Sequence, residues 1–153
     1  ILLVLVSVLL LSFTKPITEN KSLPYCTAFN RVLQDASNNF SPLKGEYDRS
    51  FEDGTKQYLL NLNFDDWKNN YYMVETNAIY VEISSGLLNL TAAKNLVNRT
   101  LTQIENCLGT KRTVKMSGKL KLYKFYKGIT EITLMIGEED EEQPILLTFE
   151  NKY

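Results

Sequence analysis

The hydrophobic pattern of this chain alternates between helical and strand spacing, and this alternation constrains its fold more than any other feature. Apolar residues recur every three or four positions from Tyr25 to Ala36 and again from Ala93 to Leu108. Each of these segments is followed by stretches in which apolar and polar residues alternate. Helical spacing indicates an amphipathic helix, whereas alternation indicates a strand with one buried face. The pattern therefore predicts two helices, each followed by strands.

The limits of these elements follow from turn and capping residues. Ser22 and Pro24 favour a helix start, because a hydroxyl can cap the helix and proline is tolerated in its first turn. Thr91 is predicted to cap the second helix, and Gly109 to end it in the left-handed conformation. The polar stretch from Gly45 to Lys56 is interpreted as a loop with a turn at Asp53-Gly54.

Six strands are predicted, at 58–64, 71–75, 79–83, 114–126 (bulged at Gly118), 129–136 and 145–149. The element order α-β-β-β-α-β-β-β predicts an α+β fold, in which an antiparallel sheet of about six strands carries both helices on one face. We see no internal repeat in the sequence.

The first thirteen residues carry no charge, and only Ser7 and Ser12 interrupt their apolar side chains. Such a run followed by a polar segment is typical of a secretory signal peptide or of the end of a membrane anchor. It is too short to span a bilayer, which takes about 20 residues. We therefore expect 1–21 to be an N-terminally incomplete leader and 22–153 to form one α+β domain that is secreted or periplasmic.

The chain has two cysteines, Cys26 and Cys107, and no histidine. In an exported protein a lone pair of cysteines favours a disulfide, and the alternative is two buried free thiols. Two thiols without histidine cannot complete a tetrahedral zinc site, so no metal is expected. The absence of imidazole also excludes Ser-His and Cys-His nucleophile activation. We therefore expect no catalytic residues and no cofactor.

Three short motifs carry a resemblance to a known group of proteins. They are Cys26 on the first helix, the segment Phe40-Ser41-Pro42-Leu43-Lys44-Gly45, and Cys107-Leu108-Gly109 at the end of the second helix. In these motifs the chain resembles small exported, mostly bacterial, two-cysteine α+β proteins. The resemblance covers about the first two thirds of the expected mature chain. It implies architecture and export only.

Charge is nearly balanced, with 17 basic and 18 acidic residues, so no global attraction to nucleic acid or anionic lipid is expected. Seven basic residues lie between Lys111 and Lys127, interleaved with aromatic residues. Such a strand can follow an anionic polymer, whereas lysines on an outer strand face are also a common protection against aggregation. The candidate anion patch consists of Lys115, Lys119, Lys121 and Lys124.

A contact surface is the second candidate site. The segment 64–72 contains the only tryptophan, Trp67, together with Tyr71 and Tyr72. Aromatic residues at a hairpin tip are common in protein and glycan recognition. The alternative is that these side chains face the core.

Acidic residues and sequons offer weaker signals. The pairs Glu52-Asp53 and Asp65-Asp66 are interpreted as solvated turn residues, and the run 138–142 as a solvated hairpin tip because it lacks calcium-loop spacing. N-glycosylation is expected only in a eukaryotic secretory pathway. Its acceptors would be Asn20, Asn39, Asn89 and Asn98.

These observations predict an exported, non-enzymatic domain that binds an unknown protein or small ligand. We expect neither a nucleic-acid partner nor membrane contact beyond the leader or anchor. The alternatives are a carrier of a small apolar ligand in a cleft between helices and sheet, and a hydrolase that uses only carboxylates.

Overall fold

The computed structural model describes residues 24–64, 66–137 and 142–152. These ranges contain the helices α1 (Tyr25–Asp35) and α2 (Leu90–Leu108). Two short 3-10 turns, Ala36–Asn38 and Ser41–Leu43, lead from α1 into the sheet. The strands are β1 (Lys44–Ser50), β2 (Lys56–Leu60), β3 (Asn69–Val74), β4 (Ile79–Asn89), β5 (Thr113–Ser117), β6 (Leu120–Lys127), β7 (Thr130–Gly137) and β8 (Glu142–Asn151).

The described strands form one antiparallel sheet with the order β1-β2-β3-β4-β8-β7-β6-β5. Each half of the fold is a helix followed by a four-strand meander, and the halves meet where β4 pairs with β8. The element order thus repeats once, although the sequence shows no repeat. The predicted α+β class with an antiparallel sheet and two helices is confirmed, but the described sheet has eight strands rather than about six.

Both helices cover the same face of the sheet. The ring of Phe29 on α1 lies 5.1 Å from that of Phe149 on β8, and α2 packs against β4, β7 and β8. Val81, Ile83 and Leu147 share this face with Phe149, and all four are fully buried. Their alternation with more polar neighbours is the signal by which these strands were predicted.

The first strand missed by the sequence pattern is β1. It occupies the first half of the stretch interpreted as a loop, and it pairs with β2 across the predicted turn at Asp53-Gly54. That turn is confirmed, with Gly54 in the left-handed region at a φ of 87°. Nearly every side chain of β1 is exposed. An exposed edge strand has no buried face, so no alternation of apolar residues marks it.

The second correction concerns the predicted strand 114–126, which is a hairpin of β5 and β6. Gly118 has a φ of 60° and, with Lys119, forms the two-residue turn between Ser117 and Leu120. A glycine with positive φ at the first position of such a turn gives a twist that matches the paired strands. Gly118 is therefore a turn residue and not a bulge.

The ends of the helices agree with the sequence in part. The side chain of Asn89, and not that of Thr91, caps α2 by accepting a 2.9 Å hydrogen bond from the backbone N–H of Ala92. Gly109 ends α2 with a φ of 68°, as predicted. The proposed cap Ser22 lies outside the described residues.

A disulfide joins α1 to α2, as predicted. Cys26 and Cys107 are 81 positions apart in sequence, and their Cα atoms lie 5.4 Å apart. This pairing overturns the alternative of two buried free thiols. Cys26 is exposed and Cys107 is half-buried, so the bond lies at the border of the core. Helical spacing groups both cysteines with the apolar residues of their helices, and the inward orientation that this predicts is only partly correct.

Asn151, at the end of β8, connects the sheet to the segment after α1. Its buried Nδ2 donates to the carbonyl of Ala36 at 2.7 Å and to Oδ1 of Asn39 at 3.2 Å. Its Oδ1 accepts a 2.9 Å hydrogen bond from the hydroxyl of Thr130. One amide thus satisfies three polar groups, two in the segment after α1 and one at the start of β7.

We expect Asn151→Ala to lower the free energy of unfolding by about 1–3 kcal/mol, because it leaves the Ala36 carbonyl and the Thr130 hydroxyl buried without this partner. Urea unfolding followed by circular dichroism measures the change. The matched control is Asn95→Ala at an exposed position of α2, where we expect a change below about 0.5 kcal/mol. Equal stability of the two variants would contradict the role assigned to Asn151.

Candidate functional site

The three aromatic residues of the predicted contact surface do not lie together at the surface. Trp67 is 7% exposed and Tyr72 is 4% exposed, and both belong to the core beneath the helices. The hydroxyl of Tyr72 donates to the carbonyl of Asn39 at 3.2 Å. Tyr71 is half-buried on the opposite face, because successive strand residues point to opposite sides. The structure thus assigns two of the three side chains to packing.

The four lysines of the predicted anion patch are divided between two faces. Lys121 lies on the helix side of β6, where its Nζ is 5.7 Å from the ring centroid of Tyr123. Lys115 and Lys124 lie on the other side of the sheet, and Lys119 lies in the turn. The structure therefore does not bring the four ammonium groups together as one patch.

Lys124 is also neutralised by a carboxylate. Its Nζ is 2.8 Å from Oε1 of Glu131, and the hydroxyl of Tyr126 donates to Oε2 of the same residue at 2.8 Å. Burial by itself would raise the pKa of Glu131, but the hydrogen bonds from Lys124 and Tyr126, together with the positive charges of Lys124 and Lys152, lower the pKa below its usual value. This group stabilises the β6–β7 pairing and leaves Lys124 less suited to bind an external anion.

The sequons differ in accessibility. Asn20 lies outside the described residues. Asn39 is half-buried with a φ of 51° and accepts from Asn151, and the side chain of Asn89 caps α2. Asn98 is exposed on the surface of α2. Among the three described sequons, Asn98 is the one with an exposed side chain on a regular helix surface.

Carboxylates meet on the face of the sheet opposite the helices. Glu75, Glu82 and Glu150 line a depression of about 280 Å³, where the hydroxyl of Tyr80 donates to Glu75 at 2.8 Å. Burial raises the pKa of Glu82, and the nearby charge of Glu75 raises it further. Within the described ranges, no three acidic, cysteine or histidine side chains are arranged to hold a metal ion.

The acidic pairs in turns are solvated where they are described. Glu52 and Asp53 are exposed, and Asp53 accepts a 2.9 Å hydrogen bond from the backbone N–H of Thr55. Asp66 forms an exposed ion pair with Arg99 at 2.9 Å. Asp65 and residues 138–141 lie outside the described residues.

A cleft of about 470 Å³ opens between α2 and the sheet, and we call it the α2 cleft. It is lined by Lys94, Val97 and Asn98 of α2, Lys121 and Tyr123 of β6, and Ile136 and Gly137 of β7. Val97 and Ile136 are buried at its base, whereas Lys94 and Asn98 are exposed at its rim. The cleft is open to solvent.

Sequence reasoning identified only Lys121 among these cleft residues as part of an anion site. The spacing of Lys94, Val97 and Asn98 shows that they share one side of α2. It does not show which strand faces them, because that depends on the strand order of the sheet.

The β5 edge, defined as Thr113–Ser117, is the second exposed feature. All its side chains are exposed, including Val114 at 53% and Met116 at 47%. β5 pairs with β6 on one side and with no described strand on the other. Val114 and Met116 lie on the helix side of the sheet, in register with Tyr123 and Lys121. This edge thus combines free backbone groups with exposed apolar side chains.

Neither helix in the described part of the chain combines the length and the apolar character that crossing a membrane would need. Comparison of the chain with protein-family models, with curated proteins and with solved structures finds no match in any of the three.

Proposed function

We propose that this protein is an extracytoplasmic, non-enzymatic interaction domain that binds an extended, acidic segment of a partner protein along the β5 edge. The observation that carries the proposal is the fully exposed edge strand, whose outer side pairs with no described strand. An extended peptide can add to such an edge through backbone hydrogen bonds. The Cys26–Cys107 disulfide supports an oxidising compartment.

The opposite edge of the sheet is less suited to this role. β1 pairs with β2 through two register shifts, at Lys44/Tyr47 and Tyr47/Arg49. Bulges of this kind twist an edge and discourage the addition of another strand. β5 pairs with β6 in unbroken register from Thr113 to Ser117, so its outer hydrogen-bonding groups follow a regular pattern.

Charge determines which partner is favoured. Lys111, Lys115 and Lys119 are exposed on and beside the β5 edge, so an acidic segment is attracted to it. Two copies of the chain paired along this edge would bring lysines close to one another, which disfavours self-association. Val114 and Met116 offer apolar contacts to alternate side chains of the partner.

Met116→Pro tests the proposal because the backbone N–H that it removes lies on the outer side of the strand. In a hairpin with a two-residue turn, Ser117 and Lys115 bond to β6, whereas the N–H groups of Met116 and Val114 point outward. Proline at 116 removes one outward N–H and keeps the pairing with β6. In a selection from a random-peptide library, we expect acidic, alternating sequences that bind Met116→Pro about tenfold more weakly than the wild type.

Matched variants separate the contribution of lysine charge to peptide binding from that of the backbone hydrogen bonds. Met116→Thr keeps the outward N–H and loses only the apolar contact, so it should bind the selected peptides at least about threefold more tightly than Met116→Pro does. Lys115→Glu should weaken binding. Lys56→Glu reverses an exposed charge in the other half of the sheet and should leave binding unchanged. Selected peptides that are basic, or that bind Met116→Pro as tightly as the wild type, would exclude the proposed mode.

A further inference from the structure

We infer that the α2 cleft is a binding site for a small amphipathic organic anion, such as a medium-chain carboxylate. This site is separate from the backbone groups of the β5 edge, and the inference does not depend on the function proposed for that edge. Three properties of the cleft support it: its size, its apolar base and the cationic groups on its two walls.

The apolar part of a ligand would lie on the base of the cleft. Val97 of α2 and Ile136 of β7 are almost completely buried there, and the half-buried ring of Tyr123 forms one side. A volume of about 470 Å³ is within the range of small-ligand sites, and such sites combine apolar walls with a few polar groups. A short alkyl chain or an aromatic ring has the matching shape and polarity.

The charged part of the ligand would lie between two lysines. Lys94 comes from the helix and Lys121 from the sheet, so cationic groups line both walls, and Asn98 adds an amide donor. The described lining thus carries the positive charges of two lysines, which favours an anion. The ammonium of Lys121 has three donors, so it can bind an anion while it keeps its other contacts, among them the one with the Tyr123 ring.

Calorimetric titration of the full chain with decanoate and with decanol tests this inference. We expect saturable binding of one decanoate, and binding of decanol that is at least about tenfold weaker, because the alcohol carries no charge for the two lysines. Lys94→Gln and Lys121→Gln should each weaken decanoate binding about fivefold and leave decanol binding unchanged. Lys127→Gln, at an exposed position at the other end of β6, should change neither.

A filling variant locates the site. Asn98→Trp places a large side chain at the rim of the cleft and should abolish decanoate binding, whereas Asn95→Trp, also exposed on α2 but outside the lining, should bind as the wild type does. Thermal unfolding confirms that both variants are folded. Equal binding of decanol and decanoate, or equal binding by the two tryptophan variants, would overturn the inference. If Asn98→Trp does not fold, the two lysine variants decide the question.

Discussion

Replacing both Cys26 and Cys107 by serine is expected to lower the free energy of unfolding by up to about 4.5 kcal/mol. The disulfide closes a loop across 81 positions, and in the chain-entropy model a loop of this length strongly restricts the unfolded chain. Cys26 is exposed and Cys107 only half-buried. Little packing is therefore lost with the two sulfur atoms, and most of the effect should come from the unfolded state.

Urea unfolding of the wild type and of the double variant, each with and without reductant, measures this contribution. We expect reduced wild type to unfold at the same urea concentration as the double variant, whose midpoint should not respond to reductant. Intact mass before and after reduction and alkylation verifies the bond. A wild-type midpoint that is unchanged by reductant would show that the link between α1 and α2 does not stabilise the fold.

Phe149→Ala should have an effect of similar size, about 3–5 kcal/mol, because it leaves a cavity at the centre of the core. Phe149 is fully buried on β8, where it pairs with Val81 of β4 and Ile132 of β7. Its ring lies 5.1 Å from that of Phe29 and 6.4 Å from that of Phe64. It therefore connects both halves of the sheet to α1.

The matched control for this prediction is Phe51→Ala. Phe51 lies in the turn after β1 and is 43% exposed, so the same change of side chain should cost less than about 1 kcal/mol. Phe149→Leu should lie between the two, since it retains much of the buried volume. Equal unfolding midpoints for Phe149→Ala and Phe51→Ala would be incompatible with the core described above.

Elements with one buried face were predictable from the sequence. α1, α2, β4, β7 and β8 each bury a regular series of apolar side chains, and these series appear as helical spacing or alternation. β1 and β5 bury none of their side chains completely. For that reason the sequence pattern missed β1 and joined β5 to β6. A strand held mainly by backbone pairing shows no regular series of apolar residues.

The candidate sites were less predictable than the fold. Trp67 and Tyr72 were candidates for a contact surface, with the core as the alternative, and they lie in the core, since composition alone does not tell which side chains are covered. The lysines between Lys115 and Lys124 were grouped by proximity in sequence, whereas strand alternation divides them between two faces. The α2 cleft joins residues of one helix to two strands that follow it, so no local pattern indicates it.

The sequence by itself determined the two helices, most of the strands, the α+β class and the cysteine pair, because local spacing records which side chains leave water. Only the tertiary structure decided the pairing of β4 with β8, the outermost position of β5 and the residues that face α2. Those features depend on contacts between segments far apart in the chain. The backbone hydrogen bonds that join strands are alike for every residue type except proline, so side-chain patterns do not encode which strands pair.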